Sequence, residues 1–142
     1  MKILLVVVVL GLSTLFGPVV PLNAQEKKED ELLLFLMAAR NAAKAGWADK
    51  AIQRYDAYLK KNPEDKDARL EFADYLQDRG YYEKAGIHYD ILIQKIGGVQ
   101  EGTDGFTKKL MLNAARNAFK NKNEYRAVEY YKQTLSFDTD DS

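Results

Sequence analysis

The sequence predicts an all-α fold, an α-solenoid of about three helix–turn–helix units. Two observations predict it. Gly46, Lys50, Ala51 and Tyr55 recur 34 positions later as Gly80, Lys84, Ala85 and Tyr89, and Ala39 and Ala73 keep the same interval. Intervals of roughly 20–50 residues mark repeat architectures, in which each unit covers its apolar face with its neighbour. Within the copies, Phe72, Tyr75 and Leu76, and then Ala85, Tyr89, Leu92 and Ile96, follow the three-to-four spacing of one helix face.

A third copy aligns best with the first. Ala38-Ala39-Arg40-Asn41-Ala42 returns as Ala114-Ala115-Arg116-Asn117-Ala118, and the same offset of 76 pairs Ala51 with Ala127, Tyr55 with Tyr131 and Leu59 with Leu135. That offset exceeds two intervals by eight, and the excess falls in the insertion 97–105, whose four glycines cannot continue a helix cheaply. The units are therefore about 32–65, 66–97 and 106–140. The first predicts helices over 29–45 and 48–60, the second over 65–79 and 81–95, and the third over 106–121 and 124–137. Alanines at 39, 51, 73, 85, 115 and 127 are expected where helices cross, and Tyr55, Tyr89 and Tyr131 between units. The third copy has Lys122 and Asn123 where the others carry their turn glycine and an aromatic.

The first 24 residues read differently. Lys2 precedes an apolar run from Ile3 to Leu12, then Gly17, Pro18 and Pro21 loosen the chain ahead of Leu22-Asn23-Ala24. This is the plan of a secretory signal peptide with cleavage after Ala24, followed by a charged linker over 25–31. The alternative is an uncleaved anchor over residues 3–22, long enough to span a bilayer but interrupted by glycine and proline. Both readings place the rest of the 142-residue chain outside the cytoplasm, in a periplasm or the extracellular space.

Composition narrows the function classes. Lys plus Arg number 21 and Asp plus Glu number 21, which argues against nucleic-acid binding through bulk charge. The absence of cysteine removes disulfides, thiolate chemistry and the acylated cysteine of a lipoprotein. The single histidine, His88, cannot form a multi-imidazole metal site within one chain. Asp138, Asp140 and Asp141 lack the glycine and distal glutamate of a calcium loop, and no Gly-Lys-Ser/Thr follows Gly97-Gly98. No catalytic residue, metal or cofactor is expected. Trp47 and Tyr81 hold matching turn positions, where packing on a neighbouring unit is expected and an exposed stacking surface for sugar is the alternative.

The three registered copies, with their small crossing residues, second-helix tyrosines and Pro63 closing the first unit, resemble the tetratricopeptide repeat family over roughly residues 32–140. The resemblance implies a right-handed solenoid whose first helices line a concave groove. By register, the lining would be Leu36, Arg40 and Lys44, then Leu70, Asp74, Gln77 and Asp78, then Lys109, Leu112, Arg116, Phe119 and Lys120. It implies a non-catalytic scaffold for a protein or peptide partner, with a polysaccharide as the other polar polymer that would suit such a lining. For an exported protein the resemblance further implies service in a secretion or polysaccharide-export or assembly complex. The family's carboxylate clamp is not reproduced, since Asp74 stands where the clamp has asparagine. The last unit carries no capping helix within this sequence. It is expected to stack on another copy, on another subunit, or on the continuation of a longer repeat protein.

Overall fold

The computed structural model describes residues 22–96 and 105–136, with side chains described for 27–96 and 105–135. The described residues form six helices: α1 (Leu22–Lys44), α2 (Ala48–Lys61), α3 (Lys66–Asp78), α4 (Tyr82–Lys95), α5 (Gly105–Lys120) and α6 (Glu124–Ser136). The last five agree with the sequence boundaries to within a residue at each end. The insertion 97–105 lies outside the described residues except for Gly105, as do the apolar run of the leader and the acidic tail. Among the described residues, no helix is long and apolar enough to cross a membrane.

Helix α1 begins seven residues earlier than the spacing predicts, so the segment 25–31 expected as a linker is helical. The reason is local. No proline or glycine stands between Pro21 and Gly46, and Gln25-Glu26-Lys27-Lys28-Glu29 are all good helix formers.

The helices pair as three hairpins, α1 on α2, α3 on α4 and α5 on α6, and one turn geometry closes all three. Gly46 and Gly80 end α1 and α3 in the left-handed region, at φ 76° and 80°. Their own N–H groups donate to Ala43 and Gln77, and the next N–H groups, of Trp47 and Tyr81, reach back to Ala42 and Leu76. This double bond satisfies the carbonyls that a helix end leaves open. Lys122 does the same at φ 60°, with Lys122 N–H bonded to Phe119 and Asn123 N–H to Ala118. The third turn thus keeps its shape without glycine. Asn123 Oδ1 then accepts from Arg126 N–H at 3.2 Å, capping α6 where the first two hairpins carry aromatics.

Those aromatics correct one expectation. Trp47 and Tyr81 are 55 % and 39 % exposed rather than buried between units. Instead the ammonium groups of Lys50 and Lys84 sit 4.7 and 5.7 Å from their ring centres. One helical turn separates each lysine from its ring, so the contact forms within the turn.

Small residues stand on the buried faces of the helices. Ala39, Ala51, Ala73, Ala85 and Ala115 are fully buried and Ala127 nearly so, as the repeat spacing predicts. Helix α2 packs on α3 and α4 on α5, with α3 also touching α5. At the second junction Tyr89, Leu92, Leu110 and Met111 are at most 1 % exposed. Burying each large apolar side chain there stabilises by about 1.5–3 kcal/mol. Gly86 lets the helices close in: a Cβ on it would lie 3.3 Å from Asn117 Nδ2, which donates to the Tyr82 carbonyl at 2.9 Å.

The third unit departs from register in one place. Tyr131, expected between units like Tyr55 and Tyr89, is 38 % exposed, while its neighbour Tyr130 is buried and donates to Asp90 Oδ1 at 3.1 Å. Among the described residues no helix follows α6, and Tyr131 stays partly exposed.

Candidate binding groove

The first helices carry a stripe of charge at helical spacing. On α3 it runs Asp67, Glu71, Asp74 and Asp78, positions three or four apart and therefore on one face. Asp65 starts this helix by accepting from Ala68 N–H at 2.9 Å, which fixes where the stripe begins. Helix α1 contributes Arg40, Ala43 and Lys44, and α5 contributes Gly105, Phe106 and Lys109. Together with Leu70, Tyr55 and Tyr75 they line an open groove of about 860 Å³ across α1, α3 and α5.

Two polar clusters stiffen it. Arg40 holds Glu71 through Nε, 2.9 Å from Oε1, and Nη2, 2.6 Å from Oε2. Tyr55 donates its hydroxyl to the same carboxylate at 2.6 Å. Burial pushes the Glu71 carboxyl upward, but the hydrogen bonds from Arg40 and Tyr55 outweigh it and hold the group below its ordinary range. Burial, reinforced by the bond to Glu71, drives the Tyr55 hydroxyl well above its usual value.

The second cluster inverts the first. Asp74 Oδ1 accepts from Tyr89 at 2.8 Å and from Asn113 Nδ2 at 2.7 Å, and Lys109 Nζ stands 3.6 Å from Oδ2. Burial and the bond to Asp74 drive the Tyr89 hydroxyl up as well. By repeat position Asp74 replaces Arg40, and Asn113 replaces Glu71. Each junction therefore gives its buried tyrosine a carboxylate, once from the following hairpin and once from its own.

Of the residues assigned to the groove from sequence, the structure brings together Arg40, Lys44, Leu70, Asp74, Asp78 and Lys109. Leu36 is buried in the core. Gln77 faces inward, with its side-chain oxygen buried. Leu112, Arg116, Phe119 and Lys120 do not line the groove, and Phe119 is 60 % exposed. On α5 the lining reaches from Gly105 to Lys109, and the later turns of that helix lie beyond it. Sequence reasoning missed Glu71, Asp67, Tyr55 and Tyr75. The 67-71-74-78 stripe was the available signal for the first two.

His88, the single imidazole, is packed rather than displayed. Its ring meets Phe72 edge-on at 4.8 Å, and Nδ1 lies 3.4 Å from Arg69 Nη1. Burial, aided by the Arg69 charge, lowers its pKa. Among the described residues, no group of His, Asp and Glu could hold a metal ion. No protein-family model matches the chain, and no curated protein matches it.

Proposed function

We propose that the chain is a non-catalytic interaction scaffold, a right-handed solenoid of tetratricopeptide type that holds an extended segment of a partner protein across α1, α3 and α5. The observation that carries this reading is the groove itself: an open cleft whose charged lining comes from three successive first helices and is held rigid from beneath by Tyr55 and Tyr89. Pre-ordered charges lower the cost of ordering on binding. Glu71 and Asp74 are committed to internal partners, so Lys44, Asp67 and Asp78 present charge to a ligand. The ligand that suits them is a peptide bearing both acidic and basic side chains, oriented by those charges more than held by them. The leader expected over residues 1–24 would place this activity in the cell envelope, within a secretion or polysaccharide-export assembly.

The test is selection of decapeptides of varied charge pattern on the full chain, beside a Lys44→Glu, Asp78→Lys variant. Enrichment of mixed-charge peptides by the parent, with the pattern lost or inverted in the variant, supports the reading. Equal enrichment by both contradicts it. Retention of acidic oligosaccharides with no peptide enriched would make the ligand a polysaccharide.

A further inference from the structure

The third hairpin repeats the first closely enough for the two to be compared position by position. Arg40 lies six residues before the left-handed Gly46 and Tyr55 nine after it, and Arg116 and Tyr131 stand at the same distances from Lys122. The turns make matching backbone bonds. In the first hairpin Arg40 and Tyr55 converge on Glu71 of the following helix. That helix also covers the outer face of α2, leaving Tyr55 and Leu59 only 2 % and 5 % exposed. The matching Tyr131 and Leu135 are 38 % and 65 % exposed, and Val128 beside them is 51 % exposed.

We propose that this outer face of α5 and α6 docks an amphipathic helix of a partner protein, one carrying a glutamate that Arg116 and Tyr131 receive as Arg40 and Tyr55 receive Glu71. Charge complementarity selects the occupant. At the second junction the position of Arg40 is held by Asp74, and the following helix answers with the amide of Asn113. At the first it is held by arginine, and the following helix answers with a carboxylate. Arg116 restores the arginine. Helix α3 supplies the template: Ala68 fits close, Glu71 follows one turn later, and Phe72 stacks on Tyr55 with ring centres 4.9 Å apart. A second copy of this chain is the poorer occupant. Its α1, seated as α3 is seated, would bring Met37 to the place of Glu71 and give Arg116 and Tyr131 a thioether. The proposal does not depend on the groove.

A lactam-stabilised helical peptide of residues 63–80, labelled with fluorescein, is titrated against the full chain and followed by anisotropy. Saturable binding is expected. Arg116→Glu in the chain, or Glu71→Lys in the peptide, should weaken it about tenfold, and the two changes together should restore it. The groove variant Lys44→Glu should leave it unchanged, which separates this result from the fate of the groove reading. Circular dichroism confirms that each variant folds. No saturable binding overturns the proposal, as does binding indifferent to Arg116→Glu. Sensitivity to Arg40→Glu alone would mean that the peptide has exchanged with α3, and this also overturns it. Concentration-dependent self-association that Leu135→Asp abolishes would assign the face to a second copy and overturn it too.

Discussion

Arg40 and Glu71, 31 residues apart, are joined by a forked ion pair with the Tyr55 hydroxyl on the same carboxylate. The contact ties the first helix of one hairpin to the first helix of the next, and it forms one wall of the groove. The side chains are 43 % and 35 % exposed, so the pair is partly screened. Glu71→Gln should cost about 1–2 kcal/mol, below the full value of a charged hydrogen bond because of that exposure. Urea denaturation measures it. The acid limb gives a second readout. The folded carboxyl titrates below its unfolded value, so the stabilisation is complete above about pH 4.3 and is lost as pH falls through the folded value. Glu71→Gln should flatten that limb.

His88 provides a pH dependence nearer neutrality. Its folded pKa is lowered by burial and by Arg69, with Asp56 opposing weakly. A base that titrates lower when folded stabilises fully above its unfolded value, about pH 6.5, and less as pH falls through the folded value. Proton NMR of the one imidazole should give a midpoint below 6.5, and His88→Phe should remove this part of the dependence. A midpoint at or above the ordinary value would mean that the ring is not packed as described.

The crossing alanines admit no larger side chain. Ala73 is fully buried between helices, so Ala73→Leu should destabilise by about 1–3 kcal/mol through overpacking. Thermal unfolding checks this. The exposed Ala45 gives the contrast, since leucine there should be nearly neutral.

Lys122 holds a left-handed conformation that costs a non-glycine residue roughly 1–2 kcal/mol. Lys122→Gly should raise stability by about 1 kcal/mol once the greater freedom of unfolded glycine is subtracted. Gly80→Ala, where the turn has φ 80°, should lower it by a similar amount. Paired denaturation curves test both directions.

Much of the fold was legible because a repeat states its rules three times. The interval of 34 located the turns at Gly46 and Gly80, and the alanine register located the crossings. The eight-residue offset then placed Lys122 at the third turn. The candidate groove was half legible. Periodicity gives the face of a helix, so Arg40, Lys44, Asp74, Asp78 and Lys109 could be named. It does not say where the next wall ends, so Arg116, Phe119 and Lys120 were assigned to a groove that stops short of them. Nor does it show side chains meeting across 31 positions, which is why Glu71 was missed. The start of α1 was misjudged because a charge-rich segment can be linker or helix, and 25–31 carries no breaker to decide between them.

The central claim is that the face made by α1, α3 and α5 is the working surface. Amide NMR of the isotope-labelled full chain, titrated with the best mixed-charge decapeptide from the selection, tests it most directly. The account predicts shifts clustered at 40–44, 67–78 and 105–109, falling away as salt is raised. Shifts confined to 128–135, or scattered without reference to the groove, would contradict it.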